Sequence, residues 1–116
     1  VCRVLIIVVA SSTAEGLEGR VADTLARAPY YTIIALNDCR VESVRVVENP
    51  ASTFSHGVGP IVAKMLLDMN ASLLAGPMPG ESFSSLLKEH GIRFIAVEPG
   101  VRVSEAVSRI LSSIGC

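Results

Sequence analysis

Val46-Val47-Glu48-Asn49-Pro50-Ala51-Ser52-Thr53-Phe54-Ser55-His56-Gly57-Val58-Gly59-Pro60, continuing from Ile61 through Met69, carries the chain from a strand into a helix. The stretch opens as the end of an apolar strand, turns at Asn49-Pro50 and enters a helix whose first residues are glycine, glycine and proline. A strand that feeds a glycine-rich loop into a helix start is a device for holding an anion. Gly57 and Gly59 allow backbone conformations closed to other residues. The first amides of the helix, those of Ile61 and Val62 among them, have no carbonyl partner within it. Those donors and the positive end of the helix dipole can face an anion, and His56 adds an imidazole able to bind a metal or donate a hydrogen bond. Taken alone, the stretch reads equally well as a water-capped loop beside a solvated histidine.

On its N-terminal side, Val41 to Val47 alternates apolar and polar residues as far as Val46, the pattern of an edge strand with one wet face. Asn37-Asp38-Cys39-Arg40 is turn-like, and Tyr30 to Leu36 is a strand by residue type, so the two form an antiparallel hairpin. Residues 3 to 10 are a short, continuous β-branched run ended by Ser11-Ser12-Thr13, which makes them a central strand. Residues 11 to 28 read as a loop, in which Val21 to Arg27 has the composition for two helical turns.

On the C-terminal side, Ile61, Val62, Met65, Leu66 and Met69 recur at helical spacing, with Lys64 and Asp68 on the opposite face. Ser72 to Gly76 is a short buried strand that runs into Pro77-Met78-Pro79-Gly80-Glu81, a second strand-to-helix loop of the same kind. The helix from Ser82 to His90 stops at Gly91, a residue suited to the position just past a helix end. Ile92 to Val97 is a fifth strand, and Ser104 can cap a final helix with Val103, Val107, Ile110, Leu111 and Ile114 as its apolar stripe. The order β, β, β, α, β, α, β, α, with right-handed crossovers, predicts an α/β domain: a mixed five-stranded sheet, helices on both faces, ribonuclease H-like.

At 116 residues the chain suits one domain, spanning 1 to 116. Half of its residues are hydrophobic while aromatics are 4%, so the core is aliphatic, as in a sheet covered by helices. A formal net charge of -1 gives no electrostatic footprint for nucleic acid or an anionic membrane. The longest apolar run, Val4 to Ala10, is far shorter than the roughly 20 residues of a membrane helix, and no signal-peptide pattern opens the chain; a soluble, cytoplasmic protein is expected. Cys2, Cys39 and Cys116 lie far apart with no Cys-x-x-Cys pair, against a structural zinc site or a cysteine-bound iron–sulfur cluster built by this chain alone. Cys2 and Cys39 read as small core or rim residues, and Cys116 as a terminal residue with no predicted partner.

Four segments resemble the dinitrogenase iron-molybdenum cofactor-binding family, which contains the NifX and NafY types. They are Arg27-Ala28-Pro29-Tyr30-Tyr31, similar to the family's Gly-Arg-Ala-Pro-Tyr-Phe; Glu48-Asn49-Pro50; Gly57-Val58-Gly59-Pro60, similar to its Gly-Ala-Gly-Pro; and Ala75-Gly76 leading to Gly80, with Leu87 and His90-Gly91-Ile92 beyond. The resemblance implies the ribonuclease H-like fold and a non-enzymatic protein that binds or carries an anionic iron-molybdenum cofactor-like or iron–sulfur cluster, with a cofactor-assembly protein as partner. On this chain the cluster is expected to be held by the helix-start amides after Gly57 and Gly80 and by Arg27, in a site of Arg27, Ser55, His56, Gly57, Gly59 and Gly80, with His56 as the candidate metal ligand. Where the family usually shows His-Phe-Gly, this chain has Thr24-Leu25-Ala26, so His56 is the imidazole the site can offer.

Two other functions are weighed against this one. A nuclease of the same fold needs carboxylates converging on two metals, and residues 3 to 10 contain no Asp or Glu. A regulatory or protein-interaction module would use the same glycine loops for a small anionic ligand or partner without needing His56.

Overall fold

The computed structural model describes residues 4–116. The expected start of the first strand at Arg3 and the reading of Cys2 as a rim residue lie outside the described residues. The elements are β1 (Val4–Ser11), β2 (Tyr30–Asn37), β3 (Arg40–Glu48), α1 (Val58–Asp68), β4 (Leu73–Gly76), α2 (Glu81–Glu89), β5 (Arg93–Ala96) and α3 (Val103–Ser113). The sheet runs β3-β2-β1-β4-β5, with β1 antiparallel to β2, β2 antiparallel to β3, and β1, β4 and β5 parallel. This is the mixed, ribonuclease H-like sheet that the sequence predicts.

Alternation along β1 explains the layering. Val8 and Ala10 point into a layer with Tyr31, Ile33, Leu74 and the inner faces of α1 and α2. Ile7 and Val9 point the other way, to Ile34, Leu36, Leu73 and α3. A strand packed on both faces has no room for polar side chains, which is why its sequence is an unbroken apolar run. The first residues of β1 are less enclosed, Val4 being exposed and Leu5 and Ile6 half-buried.

All three α-helices close in the same way. Asn70, Gly91 and Gly115 take positive φ two residues past each helix end, and the next residue donates back across the last turn: Ala71 to Leu66 at 2.9 Å, Ile92 to Leu87 at 2.9 Å, Cys116 to Leu111 at 2.8 Å. This double closure satisfies carbonyls that a helix end leaves unpaired.

Two details differ from expectation. The segment between β1 and β2 is a loop, as the sequence reads, but its one helical turn is a 3₁₀ turn at Gly16–Glu18 and not within residues 21 to 27. Val21 instead bridges Ser11, and the Val21 and Ala22 amides donate to the Val101 and Ala10 carbonyls at 2.8 and 2.9 Å. Ser104 does not cap α3, because the helix begins earlier, at Arg102 and Val103, where the Val103 amide finds the Gly19 carbonyl at 2.9 Å.

Cys39 and Cys116 are joined by a disulfide with Cα atoms 5.6 Å apart, which corrects both cysteine expectations. Asp38 and Cys39 are the two central residues of the β2–β3 hairpin and both have positive φ, 51° and 69°, the requirement of a tight two-residue hairpin turn. That turn and the residue following Gly115 meet at one end of the sheet. Seventy-seven residues of sequence separation hid the pairing, since spacing carries no signal over such a distance.

Candidate functional site

Parallel strands β1, β4 and β5 send their carboxyl ends to one side of the sheet, where α1 and α2 start. Arg27, Ser55, His56, Gly57, Gly59 and Gly80 all line one open cleft there, of about 420 Å³. The two glycine loops therefore lie side by side. Pro77 and Met78 do not share the cleft; they border a separate depression with Ala96, Val97 and Arg109.

The glycines serve different purposes. Gly57 caps α1 in the left-handed region, φ 72°, which a side chain resists. Gly59 is inside α1, and a Cβ there would meet Leu86 Cδ1 at 3.3 Å, so it lets α1 approach α2 closely. The expectation that Gly59 needs a special conformation is thus replaced by a packing reason. Gly80 caps α2 with φ -68° and ψ 169°, extended backbone open to any residue, and faces empty space.

The available donors also shift. Because α1 begins at Val58, the Ile61 amide is engaged by the Gly57 carbonyl at 3.4 Å, and Val62 lies beyond the first turn. The helix-start amides left for the cleft are those of Val58 and Gly59, since Pro60 has no N–H. In α2 the corresponding amides are those of Glu81, Ser82 and Phe83. Glu81 places a carboxylate in the cleft at that helix start, which offsets its attraction for an anion, whereas the first turn of α1 has no acidic residue.

Arg27 is used twice by the protein itself. Its Nη1 donates to the Phe54 carbonyl at 2.6 Å and its Nη2 to the Ser55 carbonyl at 3.4 Å, so it fixes the loop that carries His56. Behind it, Asn49 is buried and donates through Nδ2 to the Ala26 and Ala28 carbonyls, both at 2.9 Å, while its Oδ1 accepts from the Ala51 amide at 2.9 Å. Tyr31 donates its hydroxyl to the Leu25 carbonyl at 2.7 Å, and burial pushes its phenol pKa up. These two side chains tie the segment around Arg27 to the loop after β3. The sequence marks Asn49-Pro50 as a turn but not Asn49 as a buried hub, because its carbonyl partners lie more than twenty residues away.

His56 and Ser55 are exposed, and Thr24 is exposed but not part of the cleft. Among the described residues no group of three or more His, Cys, Asp or Glu could hold a metal ion. The cleft therefore offers one imidazole, two sets of backbone amides, the hydroxyls of Ser55 and Ser82, a committed guanidinium and the Glu81 carboxylate. Such a set suits a preformed anion better than a bare cation.

The profile of the family described as "Dinitrogenase iron-molybdenum cofactor" matches residues 4–113. The chain belongs to this family. Among solved structures, the apo form of the orange protein of Desulfovibrio gigas superposes with a TM-score of 0.82 at 28% identity, covering 93% of this chain and 88% of that one. TM1290 of Thermotoga, solved by NMR and assigned to the DUF35 family, gives 0.75 at 29% identity over 93% and 88%. PH0822 gives 0.79 at 17% identity over 94% and 92%, a likeness of fold. No curated protein sequence matches the chain. No helix among the described residues is long and apolar enough to cross a membrane.

Proposed function

We propose that this family member is a non-enzymatic carrier of a preassembled anionic metal–sulfur cluster, of the iron-molybdenum cofactor or iron–sulfur type, held in the cleft between the starts of α1 and α2. The observation that carries the reading is the convergence of Arg27, Ser55, His56, Gly57, Gly59 and Gly80 on that cleft in a chain of this family. The Val58 and Gly59 amides and the helix dipole hold negative charge, and the His56 imidazole supplies one metal bond. One imidazole and one carboxylate are too few side-chain ligands to organise several ions, so the cluster arrives with its own sulfides and leaves intact. The partner class is then a cofactor-assembly protein that donates or receives it. The openness of the site, with Ser55, His56 and Gly57 all exposed, suits transfer.

The alternative, a regulatory module for a small anion, is favoured by one feature: the amides outnumber the metal ligands. Anaerobic titration with a preformed metal–sulfur cluster and, separately, with inorganic phosphate distinguishes the two. The carrier reading expects cluster retention on gel filtration, and His56→Ala should weaken cluster binding at least about tenfold while leaving phosphate almost unchanged. Equal cluster affinities in wild type and variant would remove His56 from the ligand set and favour the regulatory module. Absence of any retained metal would overturn the carrier.

A further inference from the structure

The Cys39–Cys116 disulfide stands at the opposite end of the sheet from the carrier cleft, on the face covered by α3. Both cysteines are exposed. They form one wall of a separate cleft of about 390 Å³, whose floor is the apolar Leu5, Ile7 and Leu73. Arg93 and Asp38 bring one charge of each sign to the same cleft. Thiol–disulfide exchange is controlled by access of a thiolate to sulfur, and a bond held between exposed residues beside a cleft of this size is open to a small molecule.

A second observation concerns what the bond does not have to hold. Cys39 sits in a turn whose flanking strands pair directly, Asn37 with Arg40 and Leu36 with Val41. Cys116 is positioned by its own amide, which donates to Leu111, and by Gly115, whose amide donates to Ser112 at 3.4 Å. Each cysteine backbone is thus held in its own element by local hydrogen bonds that do not depend on the bond between the sulfurs. The arrangement can open and close without rebuilding either element.

We propose that Cys39 and Cys116 form a reversible exchange site for small thiols of the glutathione type. A thiolate RS⁻ attacks Sγ of one cysteine; an RS–S bond forms, the Cys39–Cys116 bond breaks, and the other cysteine leaves as a thiolate that takes a proton from water. A second RS⁻ attacks the mixed disulfide, releasing RSSR and leaving two protein thiols, so two electrons pass from two thiols to the protein disulfide. Oxidised RSSR closes the pair by the reverse steps. The thiol level of the compartment then sets which form prevails.

The test uses the full oxidised chain in native buffer with reduced glutathione, timed alkylation and peptide mapping, which separates Cys39 and Cys116 from Cys2. Opening should proceed within about tenfold of the rate for an unstructured model disulfide, be insensitive to low urea, and pass through glutathione bound at Cys39 or Cys116. A rate below about one hundredth of the model's, or one that rises with urea, would mean that the bond opens only by unfolding and would overturn the proposal. So would an oxidised chain whose peptide map lacks a Cys39–Cys116 link. Cys116→Ser keeps both local hydrogen-bonded motifs, and its Cys39 should take up one glutathione from oxidised glutathione; a folded variant that takes up none also overturns it.

Discussion

Arg27 holds the Phe54 carbonyl at 2.6 Å across a gap of 27 residues in sequence. The guanidinium most readily assigned to an incoming anion is thereby engaged with the protein's own backbone. In the proposed carrier it would act through the shape of the loop from Phe54 to Gly57, with its charge felt at the cleft.

Arg27→Ala should therefore loosen that loop before it alters global stability. Because the bonds are exposed, the stability cost should stay near about 1 kcal/mol, while exchange of the amides from Ser55 to Val58 accelerates clearly. Arg27→Lys keeps the charge but cannot fork to two carbonyls, so it should restore less than half of the lost protection. Amide hydrogen exchange on the three proteins is the measurement. Full restoration by lysine would show that charge alone matters.

Asn49→Ala removes donors to Ala26 and Ala28 and the acceptor for Ala51, all in a buried position. Leaving those backbone groups unpaired should lower unfolding stability by about 2–4 kcal/mol. Asn49→Asp should be no better, since a carboxylate would then face two carbonyl oxygens. Urea unfolding gives the numbers, and a loss under about 0.5 kcal/mol for Asn49→Ala would remove Asn49 as the hub.

Gly57 and Gly80 look equivalent in the sequence, and the same substitution should separate them. Gly57→Ser forces a side chain into the left-handed region and should cost about 1–2 kcal/mol. Gly80→Ser occupies open space in an extended conformation and provides a hydroxyl able to cap α2, so it should be neutral or stabilising by a few tenths, roughly. Paired thermal or urea melts decide it, and equal losses at both positions would contradict the backbone assignment.

Tyr31 gives the molecule an alkaline limit. Burial raises its phenol above the ordinary value of 10.0, so on going alkaline the unfolded chain releases this proton first. The contribution is complete below pH 10 and declines as pH rises beyond it, by about 1.4 kcal/mol per pH unit for one proton. Tyr31→Phe should be weaker at neutral pH by about 1–2 kcal/mol for the lost bond to Leu25, yet show a shallower alkaline decline. Urea midpoints across pH 8.5 to 11, roughly, compare the two slopes.

Some of this architecture is written in local pattern and some is not. The unbroken run of β1 and the alternation of β3 define a buried and an edge strand, and right-handed crossovers then bring the loops before α1 and α2 to one end. Helix start signals are less exact: Gly57, Gly59 and Pro60 mark the start of α1, but not whether Val58 or Ile61 is its first residue, and that decides which amides are free. Gly59 looked conformational because its neighbour Leu86 belongs to another helix. The buried role of Asn49 and the Cys39–Cys116 bond depend on partners brought close only by the finished fold.

The irregular segment between β1 and β2 carries a consequence for how the domain comes apart. Val21 packs in the layer beneath α3, whereas its neighbour Ala22, with Leu25 and Ala28, packs in the layer beneath α1 and α2. Consecutive residues of one piece of coil thus belong to opposite sides of the sheet. Peeling that piece away would strip both sides together, so neither aliphatic layer can melt while the other persists. A stretch with almost no regular secondary structure acts as the rivet that makes two half-cores a single cooperative unit.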